Sequence, residues 1–171
     1  MSSTDQFVRS AEAYAAQYDK AALPARPARC AAVVACMDAR INVFALLGLR
    51  EGDAHILRNA GGVVTDDVIR SLALSQRLLG TREIVLIHHT ECGMLRFSED
   101  EMKAQIEAET GIRPHFALEA FSDVEQDLRQ SIARIRVSPF VPHRDQIRAF
   151  VFDVATGRLN EISPPSGGAE R

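Results

Sequence analysis

Glu83-Ile84-Val85-Leu86-Ile87-His88 is the clearest strand in the chain, and His89-Thr90-Glu91-Cys92 follows it directly. A short apolar run rich in branched residues reads as a buried strand; a helix needs a longer, 3.6-periodic pattern. Working outward, Cys30 to Cys36 is a similar run and opens into Cys36-Met37-Asp38-Ala39-Arg40. Ala54 to Arg58 reads as a second strand leading into the turn Asn59-Ala60-Gly61-Gly62. Arg148 to Val154 is a final strand, and Ala155-Thr156-Gly157-Arg158 has the composition of a hairpin turn into Leu159–Ile162.

Helical signals alternate with these runs. Phe7, Ala11, Tyr14, Ala15 and Tyr18 recur at helical spacing, so residues about 5–20 form an amino-terminal helix that Pro24 and Pro27 break. Ile41 to Leu49 suits a short helix ended by Gly52. Thr65 can cap a helix from Asp66 to about Leu79, with Asp66 and Asp67 near its positive end and Gly80 after it. Ser98 and Glu101 have capping-box spacing, Phe97 can staple onto Met102, and Gly111 closes that helix. Ser122 and Glu125 repeat the capping-box signature for a helix to about Arg136. Strands alternating with helices predict an α/β fold: a mainly parallel central sheet flanked by helices. Right-handed crossovers put the carboxyl ends of parallel strands on one edge, where ligands bind. Cys36, Asn59 and His89 are all expected just past strand ends, on that edge.

With 171 residues, the chain is expected to form a single domain, 1–171, with a loose tail from about 163. A net charge of −3 argues against nucleic acid as the main partner. No apolar run reaches the roughly 20 residues of a membrane helix. The N-terminus Met1-Ser2-Ser3-Thr4-Asp5-Gln6 lacks the basic and apolar regions of a signal peptide, so the expected compartment is the cytoplasm. Three cysteines, an odd number without an export signal, fit thiols and metal ligands better than disulfides.

A lone cysteine at a strand end is usually a small buried hydrophobe. Cys-x-Asp-x-Arg after one strand and His-x-x-Cys after another is a stronger pattern. Cys36, His89 and Cys92 make three ligands for tetrahedral Zn²⁺, leaving a position for water, as catalytic zinc sites do. Asp38 lies two residues after Cys36, and on an extended segment Asp38 and Arg40 continue the same face. They read either as a solvated surface pair or as a gate. In the second reading Asp38 accepts a hydrogen bond from metal-bound water or displaces it, and the planar fork of Arg40 holds the carboxylate away. Two thiolates cancel the charge of Zn²⁺, so activity is expected to be better on the alkaline side.

The stretches Cys36-Met37-Asp38-Ala39-Arg40, Arg58-Asn59-Ala60-Gly61-Gly62 and His89-Thr90-Glu91-Cys92-Gly93 together resemble the signatures of β-class carbonic anhydrases, over about residues 30–160. The resemblance implies one Zn²⁺ per subunit on Cys36, His89 and Cys92, an Asp38–Arg40 dyad, and reversible hydration of CO₂ to bicarbonate by zinc-bound hydroxide. It also implies a homodimer or higher homo-oligomer, the N-terminal helix reaching over a partner subunit. Gly61 and Gly62 either bring backbone N–H groups to Asp38 or a bound anion, as substrate-binding residues, or form an ordinary turn. His88 is expected to pack on the opposite strand face. His55, His115 and His143 are candidate proton shuttles, and Cys30 is structural. Met37 and Ala39 stand where the family often has Ser, and Met94 stands where a small residue is common. The chain looks closest to a compact bacterial subgroup similar to carbonyl sulfide hydrolases. Hydrolysis of carbonyl sulfide or carbon disulfide on the same zinc site is therefore the second reading, and a non-catalytic zinc-binding or redox module the third.

Overall fold

Every residue of β1 (Ala31–Cys36) after the first is buried, which explains why its apolar run shows no alternation. Both of its neighbours are parallel to it: β2 (Ala54–Asn59) on one side and β3 (Glu83–His89) on the other. β4 (Ile147–Phe152) pairs parallel with β3, and the three-residue β5 (Leu159–Glu161) pairs antiparallel with β4. The sheet order is β2-β1-β3-β4-β5 in this computed structural model, which describes residues 2–163. The expected tail lies, beyond Ser163, outside the described residues.

Among the described residues, seven helical segments connect or flank the strands: α1 (Ser3–Ala15), α2 (Val43–Leu47), α3 (Asp66–Arg77), α4 (Glu99–Thr110), α5 (Val124–Val137) and two single 3₁₀ turns, Ala60–Gly62 and Gly93–Leu95. One face of the sheet packs Ala32, Val34, Ile84 and Leu86 against Val68 and Leu72 of α3 and Leu128, Ile132 and Ile135 of α5. The other packs Val33, Ala35, Val85 and Ile87 against α2 and the segment from Cys92 to Phe97. Parallel strands covered on both faces need apolar side chains at successive positions, and β1 and β3 supply them.

Several boundaries differ from the sequence expectation. α1 ends at Ala15 rather than near residue 20; beyond it, Gln17 and Tyr18 donate only i→i−3 bonds, to Tyr14 and Ala15. No residue of α1 is buried, so no core sustains further turns. Gly48, not Gly52, ends α2, because Gly48 takes the left-handed conformation (φ 61°) that closes a helix there. The cap of α5 is Asp123 rather than Ser122: its carboxylate accepts from the Gln126 N–H at 2.7 Å, and an ionised group suits the positive end of a helix better than a hydroxyl. Ser98 caps α4 as expected, its hydroxyl accepting from the Glu101 N–H at 3.3 Å, but the Glu101 carboxylate accepts from the Ser98 hydroxyl at 2.7 Å rather than from the Ser98 backbone N–H, so the cap is not a reciprocal box. Cys36, Asn59 and His89 are the last residues of their strands rather than the first past them.

Candidate metal centre

Cys36 is the last residue of β1, and Asn59 of β2 lies opposite it in register. The chain then turns sharply: the Met37 N–H donates to the Asn59 carbonyl at 2.8 Å and the Ile41 N–H to the Asp38 carbonyl at 3.1 Å. Buried Ile41 and Val43 anchor the far side of this turn. Asp38 and Arg40 therefore meet through a turn, not by alternation along a strand. The turn gives a tighter pairing than an extended segment allows. Asp38 Oδ1 accepts from the backbone N–H of Arg40 at 2.9 Å and from Nε at 3.0 Å, and Oδ2 from Nη2 at 2.8 Å. These bonds from Arg40 hold the Asp38 carboxyl well below the usual carboxylate range.

Residue 62 has to be glycine. A Cβ on Gly62 (φ 73°) would lie 2.7 Å from the Cys36 nitrogen and 2.9 Å from the Ala35 carbonyl carbon. The loop after β2 thus runs directly against the end of β1 and the Ile87 carbonyl of β3. Arg58 braces the same region, donating from Nε to the Cys36 carbonyl at 3.0 Å and from Nη2 to the Asp38 carbonyl at 2.7 Å.

His89 ends β3, wholly buried. Its Nδ1 lies 2.8 Å from the Thr90 carbonyl, which can only accept, so Nδ1 carries the proton and Nε2 presents a lone pair. That Nε2 is buried with no hydrogen-bond partner. The following turn is fastened to β4: the Thr90 N–H donates to Phe152 O and the Val154 N–H to Thr90 Oγ1. It returns as buried Cys92, whose sulfur is 4.0 Å from that of Cys36.

The donor atoms of Cys36, His89 and Cys92 all lie within 4.8 Å of one another, and the group can hold a metal ion. Tetrahedral zinc with bonds to sulfur of about 2.3 Å places two sulfurs about 3.8 Å apart, close to the spacing here. The donors fit on chemistry as well. Cys36 is drawn well below an ordinary thiol, chiefly by its hydrogen bond to Cys92 and, against the opposing effect of burial, by His89. The same contact and burial push Cys92 up. Burial opposes charge on His89, yet the neighbouring Cys36 sulfur outweighs it and raises its pKa. Two sulfurs this close shed a second proton reluctantly unless a cation lies between them. Asp38 Oδ2 is 3.7 Å from His89 Nε2, at the border of the group. A cavity of about 190 Å³ opens over the three donors, walled by Ala60, Gly61 and Met94, with Met37 exposed at its edge. A larger hollow of about 580 Å³ along α3, lined by Ile69, Leu74 and Phe140, contains none of these donors.

Gly61 lines the cavity while Gly62 packs against strand backbone. His88 packs on the other face, as read: its Nε2 is 2.7 Å from Asp127 Oδ2 of α5, and its ring stacks on Phe121. His55 is paired with Ser75 of α3, and His115 and His143 are exposed; none of the three lines the cavity. Sequence reading gave no role to Arg58 or Glu91. Arg58 stood within a recognised stretch, but its targets are backbone carbonyls, which no side-chain spacing reveals.

The sheet, its order and this three-donor edge define a class of protein, and the chain belongs to the β-carbonic anhydrase family: the family profile for carbonic anhydrase matches residues 31–159. It is 56% identical over 164 residues to β-carbonic anhydrase 1 of Mycobacterium tuberculosis, covering 96% of this chain and 100% of that protein. Among solved structures, a carbonic anhydrase from Streptococcus mutans superimposes with a TM-score of 0.89 at 43% identity, covering 95% of this chain and 99% of the other. A carbon disulfide hydrolase of Saccharolobus solfataricus is 36% identical over 154 residues, with 75% of each chain covered.

Proposed function

We propose that this protein hydrates carbon dioxide reversibly to bicarbonate, with one Zn²⁺ per subunit held by Cys36, His89 and Cys92. The observation that carries the reading is the unpartnered, buried Nε2 of His89, set beside two sulfurs 4.0 Å apart and an ionised Asp38. Zinc, when bound, supplies a Lewis acid that makes water nucleophilic near neutral pH. The chain's own residues do the rest. Asp38, kept anionic by Arg40, accepts a hydrogen bond from the attacking water and aims its lone pair at the carbon. Ala60, Gly61 and Met94 offer an apolar wall to a small linear substrate. The reaction releases one proton. Asp38 is too weak a base to keep it, so the proton leaves to buffer at the open edge by Met37.

The exposed face of α1 and the outer edge of β2, which has no partner strand among the described residues, support a homodimer or higher oligomer. No described helix is long and apolar enough to cross a membrane. Free thiols at Cys30, Cys36 and Cys92 support a cytoplasmic enzyme, and we assign residues 1–171 to a single domain.

Stopped-flow hydration of CO₂ by the zinc-loaded protein, scanned from neutral to alkaline pH, tests the function. Activity that rises with pH and disappears in Asp38→Ala is the expected result. Zinc-loaded protein inactive at every pH would overturn it. Sulfide release from carbonyl sulfide or carbon disulfide without CO₂ hydration would transfer the site to the relative's chemistry.

A further inference from the structure

The two turns that carry the metal donors are joined by one side chain. Arg40, from the turn after β1, gives three hydrogen bonds to Asp38, and its outer nitrogens reach the turn after β3. There Nη1 lies 3.3 Å from Glu91 Oε2, and Nη2 lies 3.5 Å from the Glu91 carbonyl. Glu91 is the residue immediately before Cys92. Its backbone is left-handed (φ 57°), a region that residues other than glycine enter at a cost. In this conformation both its carboxylate and its carbonyl face Arg40. The turn is itself held, because Thr90 is bonded to Phe152 and Val154 on the β4 side. Arg40 needs such a hold: its side chain is 47% exposed, and its side-chain partners among the described residues are Asp38 and Glu91. Asp38 for its part sits 3.7 Å from the His89 nitrogen that faces the donors, close enough to enter the metal's coordination shell if released.

We propose that Glu91 is a positioning residue, which fixes the Arg40 guanidinium across the two donor turns so that Arg40 keeps the Asp38 carboxylate off the metal. The proposal rests on the reading of Asp38 and Arg40 as the working pair. Planar guanidinium bonding is directional, so the anchor matters for where the fork points and not only for its charge. With Glu91 neutralised, Arg40 swings into solvent more often and Asp38 spends more time on the metal. The effect falls on turnover rather than on substrate affinity, because Glu91 reaches the substrate only through Arg40.

The test uses the full chain carrying Glu91→Gln, Asp38→Ala or Arg40→Ala, and the double variants Glu91→Gln/Arg40→Ala and Glu91→Gln/Asp38→Ala. Two quantities are read. The first is kcat and KM for CO₂ hydration by the zinc form. Glu91→Gln is expected to lower kcat by about two- to fivefold, the size of an exposed charge pair, with KM unchanged and no further loss in the Arg40→Ala background. The second is the visible absorption spectrum of the Co²⁺-substituted protein, which reports coordination without turnover. Glu91→Gln should shift it, and the shift should be absent when Asp38 is Ala. A Glu91→Gln protein identical to the parent in kcat and in spectrum, beside inactive Asp38→Ala and Arg40→Ala, overturns this inference alone. Full activity in Asp38→Ala and Arg40→Ala would overturn the reading of the working pair, and this inference with it.

Discussion

The carboxyl-terminal end of β3 and the helix α1 are opposite extremes of one chain. At the end of β3, His88 and His89 are both 0% exposed, and neighbouring residues of the same chain fill both faces. His89 faces the sulfurs of Cys36 and Cys92 in the candidate metal centre, while His88 bonds Asp127 of α5 and stacks on Phe121. In α1 no residue is buried, and Phe7 is 69% exposed, although Ser2 and Asp5 form a complete capping box. Local signals thus build a helix, while tertiary burial decides whether it belongs to a core. The three candidate donors meet within one chain, whereas α1 finds no burial among the described residues.

The largest effect expected from this comparison is at His89. His89→Ala removes one of three donors and should abolish both zinc binding and CO₂ hydration, with secondary structure kept. His88→Leu, one residue away on the other face, should keep its zinc. Metal analysis of the two purified proteins, with circular dichroism as the control for folding, decides between them. Loss of zinc in both variants would mean that the two faces are not independent.

The next effect concerns stability and leaves the metal alone. His88 Nδ1 already lacks a hydrogen-bond partner, so Asp127→Ala would leave a wholly buried imidazole with its remaining bond broken. That should lower the unfolding free energy by about 1–3 kcal/mol, read from urea titration of the zinc-loaded protein. Adding His88→Leu to Asp127→Ala removes the orphaned group and should recover part of the loss; the stacking on Phe121 is not restored. A double variant worse than Asp127→Ala alone would show that His88 contributes more through packing than its ring nitrogens cost.

The edge was more legible in sequence than the arm, for a physical reason. Cys36, His89 and Cys92 are constrained by chemistry as well as by packing, and the apolar runs before them could only be buried strands. Bonds to backbone escaped the reading. The clamp of Arg58 on the Cys36 and Asp38 carbonyls has no side-chain signature, and neither does the turn that pairs Asp38 with Arg40. Glu91 stood in plain view between two donors, but its left-handed backbone, which turns it toward Arg40, depends on how the turn is fastened to β4. For α1, helical spacing extended past its true end because Tyr18 keeps the period. Periodicity cannot say that Tyr18 meets the ring of Tyr14 and stays half exposed instead of entering a core.

The smallest effect on the site, and the sharpest test of the arm, comes from Phe7→Ser. Phe7 already faces solvent within one chain, so the substitution should change monomer stability by no more than about 0.5 kcal/mol. If a second copy of the chain covers it, the same change removes an apolar side chain whose burial is worth about 1.5–3 kcal/mol. Association should then weaken by roughly tenfold or more, since about 1.4 kcal/mol corresponds to a factor of ten. Sedimentation velocity over a dilution series would show the parent staying associated at concentrations where Phe7→Ser dissociates, with zinc per chain equal in the two. An unchanged assembly would leave α1 to its contacts at one end, where Tyr14, and Lys20 in the segment beyond the helix, reach Glu51. The association of copies would then have to come from another surface, with the outer edge of β2 the first to examine.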